Sequence, residues 1–154
     1  MAREWLRNEI CSVAQTLEIV GERWTMLVLR EAFLGTRRFE GFQRNTGCAR
    51  NILSDRLQRL VANGILERRP YQDRPPRFEY RLTQKGVDLY PAIIALMQWG
   101  DRYVAGERGP AIVLEHKACG HETKPELVCS ECGEPVHARA MRAHPGPGAI
   151  SASA

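Results

Sequence analysis

The chain has 154 residues, 44% of them apolar, and a formal net charge of +4. That length is enough for one globular domain with some extension and a real core, while no apolar run approaches the ~20 residues that span a bilayer. The opening MAREWLRNEICS has neither an apolar h-region nor a small-residue cleavage site, so a cytoplasmic protein without membrane association is expected.

In chain order, Ser12 to Ile19 can form a first helix, which Gly21 interrupts. Arg23 to Phe33 follows, with Trp24, Leu27, Val28 and Ala32 on one stripe at helical spacing. Trp24 is expected in the core, because aromatics on an apolar stripe usually pack. Gly35-Thr36 ends this helix. Phe39 and Phe42, three apart, give the next short helix its buried face, and Gly47 makes the turn. From Ala49 to Asn63, Ile52, Leu53, Leu57, Leu60 and Val61 share one face and should pack on the preceding helices. Asn63-Gly64 closes that helix. Ile65 to Arg69 and Arg77 to Leu82 then alternate as two strands, and the connection PYQDRPP is expected as an exposed tip, since Pro lacks a ladder donor. Thr83 to Tyr103 reads as one long amphipathic helix carrying Leu89, Ile93, Leu96, Met97, Trp99 and Tyr103. Its apolar surface exceeds what a small domain would hide, which favours burial in a partner subunit over packing on its own domain.

Short helix, Gly turn, Arg-rich helix and strand-loop-strand, in that order, form a winged helix-turn-helix, a shape that inserts one helix into a DNA major groove. The fold class expected is mainly α with a small β-wing (α+β). Charge is distributed to match. Arg37 to Arg81 carry 11 Arg and 5 acids, net +6, while the segments on either side each sum to −1. A footprint for phosphates should be local in this way, because only groups near the backbone release counterions. Arg pairs bidentately with guanine and Asn with adenine, so Arg50, Asn51 and Ser54 on the recognition helix 49–63 are the candidates for bases or nearby phosphates. Arg56 is a weaker one, since it stands beside Asp55. On the wing 65–82, Arg74 and Arg77 flank the tip and are candidates for phosphate or minor-groove contact.

The segments GERWTMLVLR (Gly21 to Arg30), RFEGFQRNTG (Arg38 to Gly47), NILSDRLQRLVANGIL (Asn51 to Leu66), PRFEYRLTQKG (Pro76 to Gly86) and LYPAIIALMQWG (Leu89 to Gly100) resemble the HxlR family of bacterial winged-helix transcription regulators, relatives of the MarR group. The resemblance covers about Cys11 to Tyr103. It implies a homodimer formed through the first and last helices, with two recognition helices reading a two-fold related operator in double-stranded DNA. Ala49 departs from the Ser that usually caps the recognition helix, a loss worth ~0.5 to 2 kcal/mol. Cys48, beside it, stands where an aliphatic residue is usual, so a less rigid turn is expected. A Cys just before the first helix recurs in the family and acts in some members as an oxidant or electrophile sensor. Here that residue is Cys11, which also fits a small buried hydrophobe.

Composition changes after Gly106. All four His and three of the five Cys lie in or beyond HKACGHETKPELVCSECGEPVH, and in a reducing compartment such Cys are ligands or reactive thiols rather than a disulfide framework. The spacing His116-x2-Cys119-x9-Cys129-x2-Cys132 gives two pairs, each able to chelate from a tight turn, and such N and S ligands suit tetrahedral Zn²⁺. His121 and His137 are reserves for His116. A metal-free β-hairpin with reduced thiols and a redox-active CxxC stay open beside a structural zinc ribbon. The organisation expected is therefore a winged helix-turn-helix domain at 1–106, a Cys/His ribbon-like extension at 107–140 and a disordered tail at 141–154. The function expected is a dimeric sequence-specific DNA-binding transcriptional regulator, a repressor and not an enzyme; whether a small-molecule effector acts on it, and which, is not read from the sequence. Thiol sensing through Cys11, or a protein-interaction module, are the alternatives.

Overall fold

The computed structural model of the chain describes residues 10–151; the opening residues read as free of a leader, up to residue 9, and the tail residues 152–154 lie outside them. Along the chain run α1 (Ser12–Val20), α2 (Arg23–Phe33), α3 (Phe39–Thr46), α4 (Arg50–Ala62), β1 (Leu66–Asp73), β2 (Pro76–Leu82), α5 (Gln84–Val87) and α6 (Tyr90–Tyr103), then β3 (Leu114–His116), β4 (His121–Thr123) and a short α7 (Pro147–Ser151). Two compact units divide at Ile93/Ile94, inside α6 and ahead of the change in composition at Gly106.

The first unit is held by one apolar core. Val28 and Leu29 of α2, Phe42 of α3 and Leu53, Leu57 and Leu60 of α4 are fully buried, with Ile65 and Leu66 closing it at the start of the wing. Trp24, Phe39, Ile52 and Val61 pack against this cluster, as their helical spacing requires. Burying a Leu, Val or Phe side chain removes it from water at a gain of ~1.5 to 3 kcal/mol, so the apolar stripes decide which face of each helix points outward. Gly47, at φ 70°, turns the chain between α3 and α4 in the left-handed region that a side chain would disfavour.

Two expected features are corrected. The segment PYQDRPP is not all tip: β1 continues through Pro70 to Asp73, Pro70 faces Phe78, and the ladder shifts register between Pro70 and Gln72. A two-stranded sheet has only edge strands, so a missing Pro donor is tolerated there. The single helix read over Thr83 to Tyr103 is broken into α5 and α6. Pro91 sits in the first turn of α6, where its missing N–H costs nothing, whereas a helix running on from α5 would need that N–H to reach the carbonyl of Val87. Thr83 caps α5 by accepting from Gly86 N at 3.2 Å, and its hydroxyl donates to Gly64 O at 2.6 Å, tying this helix to the end of α4.

The second unit has little core. Of the described residues from 94 onward, only Ile94 is a buried hydrophobic. β3 and β4 pair antiparallel, with His116 facing His121, and a second turn is closed by a bridge between Val128 and Pro135. Gln98 Nε2 donates to Pro125 O at 2.7 Å, and an open cleft of about 1120 Å³ is lined by Met97, Arg102, Ile112, Leu127 and Val136 among others. The tail, expected without regular structure, carries α7.

One buried carboxylate fixes the approach to the helix-turn-helix. Glu31, in the last turns of α2, is 5% exposed. It accepts from Arg30 Nη2 at 2.8 Å, Thr36 Oγ1 at 3.1 Å and Asn45 Nδ2 at 2.8 Å, and so joins α2, the following turn and α3. Burial alone would push its carboxyl up, but the hydrogen bonds from Asn45, Arg30 and Thr36 together with the Arg30 charge hold it below the ordinary carboxylate value. A depressed folded value stabilises the protein above the unfolded value of 4.5, and that stability is lost as pH falls through the folded value. Thermal unfolding of Glu31→Gln against pH should therefore show lower stability than wild type at pH 7, by about 1 to 3 kcal/mol, with the gap closing in acid. Curves that stay parallel to low pH would contradict this.

Candidate nucleic-acid interface

With Leu53, Leu57 and Leu60 buried, the opposite face of α4 is left to Arg50, Asn51 and Gln58, all exposed, while Ser54 is half-buried. Ala49 stands at the N-cap without a side-chain hydrogen bond, so the first amides of α4 keep the donors that elsewhere meet a cap or an anion. The turn before it is nonetheless held. Thr46 Oγ1 donates to Phe42 O at 2.7 Å and accepts from Cys48 N at 3.2 Å. Cys48 is 2% exposed, and burial pushes its thiol up, only partly opposed by the nearby Arg56 charge. It serves the core as the aliphatic residue it replaces would.

Not all eleven arginines of the basic segment are available to a ligand. The Arg56 guanidinium, 17% exposed, lies on Glu22 at the start of α2 and on Asp55 Oδ2 at 3.0 Å. Arg59 lies 3.7 Å from Glu22 Oε1 and donates to Glu18 O at 3.3 Å. These two tie α4 to α1 and α2. On the wing, Arg69 pairs with Glu67 and Arg81 with Glu79, each at 2.6 Å. Because Glu67 faces Arg81 and Arg69 faces Glu79 across the ladder, these four charges satisfy one another on one face of the sheet.

Seven of the eleven, Arg37, Arg38, Arg44, Arg50, Arg68, Arg74 and Arg77, enter no ion pair among the described residues. Three of them are braced by aromatic rings. Arg50 lies 4.8 Å above Phe39, Arg38 4.4 Å above Tyr71 and Arg68 3.5 Å above Phe78. The Arg37–Phe39 segment thus touches the start of α4 through Phe39 and the wing through Arg38, and Tyr80 N donates to Arg37 O at 2.7 Å. The N-terminus of α4, the N-terminus of α3 and the wing form one cationic surface. Arg74 and Arg77 lie exposed at the tip of that wing. Sequence reasoning missed Arg38 and Arg68; the Arg37-Arg38 doublet ahead of α3 and the strand alternation around Arg68 were the available signals.

In the second unit the structure pairs the expected metal ligands but does not gather all four. Cys119 Sγ lies 3.5 Å from His116 Nδ1. The Cys129 thiol is drawn below its ordinary value first by the backbone N–H of Cys132, then by that of Glu131 and by the Cys132 side chain. Among the described residues no three of His, Cys, Asp or Glu form a cluster able to hold a metal ion. His121 and His137 are exposed, and Cys11 is half-buried at the N-cap of α1. No helix among the described residues is long and apolar enough to cross a membrane.

Residues 19–108 match the HxlR-like helix-turn-helix family. The chain is similar to an HTH-type transcriptional regulator of Mycobacterium tuberculosis, Rv3095, at 53% identity over 137 residues, covering 89% of this chain and 87% of the relative. Among solved structures, PA1607, described as a transcription factor, is 35% identical with a TM-score of 0.77 and covers 87% of this chain and 94% of its own. The redox regulator HypR in its oxidised form is 32% identical with a TM-score of 0.56 and covers 60% of this chain and 96% of its own. The extension is therefore spanned by some relatives and lacking in others. With the fold, the cationic surface and these relatives in agreement, the chain belongs to the HxlR-like helix-turn-helix family of transcriptional regulators.

Proposed function

We propose that this regulator is a sequence-specific repressor that binds double-stranded DNA as a homodimer, with α4 in the major groove and the β1–β2 wing on the backbone or minor groove. The observation that carries this reading is the continuous cationic surface running from Arg50 through Arg38 to Arg68, Arg74 and Arg77 on the wing, arginines that enter no ion pair among the described residues. Arg50, Asn51 and Ser54 contact bases or adjacent phosphates, and Arg74 and Arg77 contact phosphates. Arg56 has a structural task instead, since Glu22 and Asp55 already occupy its guanidinium.

The dimer is supported by apolar side chains left in water on α1 and on α6. Val13 and Leu17 on α1, and Leu96, Trp99 and Tyr103 on α6, are all more than half exposed. A second copy is the occupant that matches two recognition helices to half-sites ~34 Å apart.

A thiol-sensing variant of this function rests on Cys11. It stands at the N-cap of α1, on the same helix as the exposed Val13 and Leu17, and among similar proteins HypR is titled a redox regulator and YodB was solved after diamide treatment. Diamide would take two electrons from two Cys11 thiols, one per copy, leaving a disulfide and the reduced hydrazine. On non-reducing gels the treated protein should run as a covalent dimer that Cys11→Ser does not form. Absence of that dimer removes this variant and leaves the DNA-binding reading untouched.

For the interface, a duplex selected by the protein from a random pool serves as operator. Arg50→Ala should weaken binding to it by about 1 to 3 kcal/mol and relax preference at one position, whereas Arg77→Ala should weaken all sequences alike and lower the salt slope by roughly one. Unchanged affinity after both substitutions would remove the assignment. Light scattering at micromolar concentration should give a dimer that Leu17→Glu with Trp99→Glu converts to the 17.4 kDa monomer; a wild-type chain already monomeric would refute the dimer.

A further inference from the structure

Two turns in the second unit are built to one plan. Each sets two nitrogen or sulfur ligands three residues apart, His116 with Cys119 and Cys129 with Cys132. Each second ligand is followed by a glycine in the left-handed region, Gly120 at φ 69° and Gly133 at φ 75°. The amide of that glycine donates back to the carbonyl of the first ligand residue, Gly120 N to His116 O at 2.8 Å and Gly133 N to Cys129 O at 2.9 Å. Each turn also closes a short antiparallel pair. His116 faces His121 across β3 and β4, while Cys129 N donates to Glu134 O and Val136 N to Leu127 O, both at 2.8 Å.

Two ligands three residues apart on such a turn can chelate one ion. In the first, Cys119 Sγ and His116 Nδ1 already approach to 3.5 Å. All five cysteines are free thiols. Apolar packing does not account for the order of these hairpins, because Leu127 and Val128 are at least half exposed and Ile94 is the one buried hydrophobic among the described residues of the unit. A segment so poor in core is usually ordered by a cross-link or a metal. Cys129 and Cys132 lie in a hairpin turn rather than at the helix N-terminus that activates a redox CxxC pair.

We propose that the two turns are half-sites that close on a single structural Zn²⁺, ligated by His116, Cys119, Cys129 and Cys132. The two pairs are separate chelates without the ion, and the ion supplies the link between the hairpins. Three thiols give up their protons to solvent as they ligate, so affinity weakens as pH falls. Four protein ligands leave no open position for water, and the site is structural rather than hydrolytic.

The test uses the full chain purified without added zinc, stripped with chelator under reducing conditions and titrated with Co²⁺. One Co²⁺ per chain is expected, with thiolate charge-transfer bands and intense tetrahedral ligand-field bands that Zn²⁺ displaces. Cys129→Ser with Cys132→Ser should abolish both sets of bands, and His116→Ala should weaken binding by more than the about 10- to 100-fold that loss of an outer-shell partner costs. The helical circular dichroism of the first unit, whose core is separate, reports whether each variant is folded, and the wild-type titration needs no variant at all. Absence of tetrahedral bands in the wild type, two ions per chain, or unchanged bands in the double variant would each overturn the proposal. His121→Ala should leave the bands unchanged; their loss would likewise overturn the assignment of His116.

Discussion

The three-leucine stripe of α4 is the constraint on which the DNA-binding unit depends. Leu53, Leu57 and Leu60 fall at helical spacing and vanish into a core shared with Val28, Leu29 and Phe42. Once they are buried, a helix has one remaining rotation, and the side chains offered outward are settled without any contact of their own. The polar network around Glu31 acts on a different variable. Apolar packing tolerates sliding, whereas hydrogen bonds from Asn45 and Thr36 to one carboxylate hold α3 and its turn at a defined distance from α2. Stripe and network together set how far the start of α4 projects.

Electrostatics in this unit is divided between architecture and ligand. Glu22 draws Arg56 and Arg59 back onto α2, and the acids of the wing neutralise Arg69 and Arg81. Exposed pairs of this kind add little stability. Their larger effect is to sort the arginines: those near acids are held inside the protein's own contacts, and those without acids face outward. A net charge of +6 over the segment therefore understates how cationic the outward surface is and overstates how evenly it is spread.

Much of this was legible in the residues. α2 was read to its ends, and the buried face of α4 was read residue by residue, because long amphipathic patterns carry their own phase. The basic segment was also visible as charge. What escaped were features set by non-local partners. Arg56 was weakened as a DNA candidate by Asp55 alone, because Glu22, its second partner, lies two helices away in sequence. Pro70 looked like a strand breaker because a two-stranded sheet, in which every strand is an edge, could not be assumed. The break before α6 was signalled by Pro91 but overridden by a continuous apolar pattern. Arg38 was passed over because its value comes from Tyr71 on the wing, a contact no local window contains. In the extension, the Cys/His spacing was readable, while the hydrogen bonds that close the two turns emerge only from the backbone.

The rings beneath Arg38, Arg50 and Arg68 bear on the entropy of recognition. A free arginine side chain surrenders up to ~2 kcal/mol of rotamer freedom when a ligand holds it. One that already rests on an aromatic face has surrendered part of this during folding, and less is lost at the moment of binding. If these arginines meet DNA as proposed, Phe39, Tyr71 and Phe78 act on affinity without touching it themselves. A lineage could retune how tightly such a regulator grips its operator by changing these rings alone, with every base-reading side chain kept.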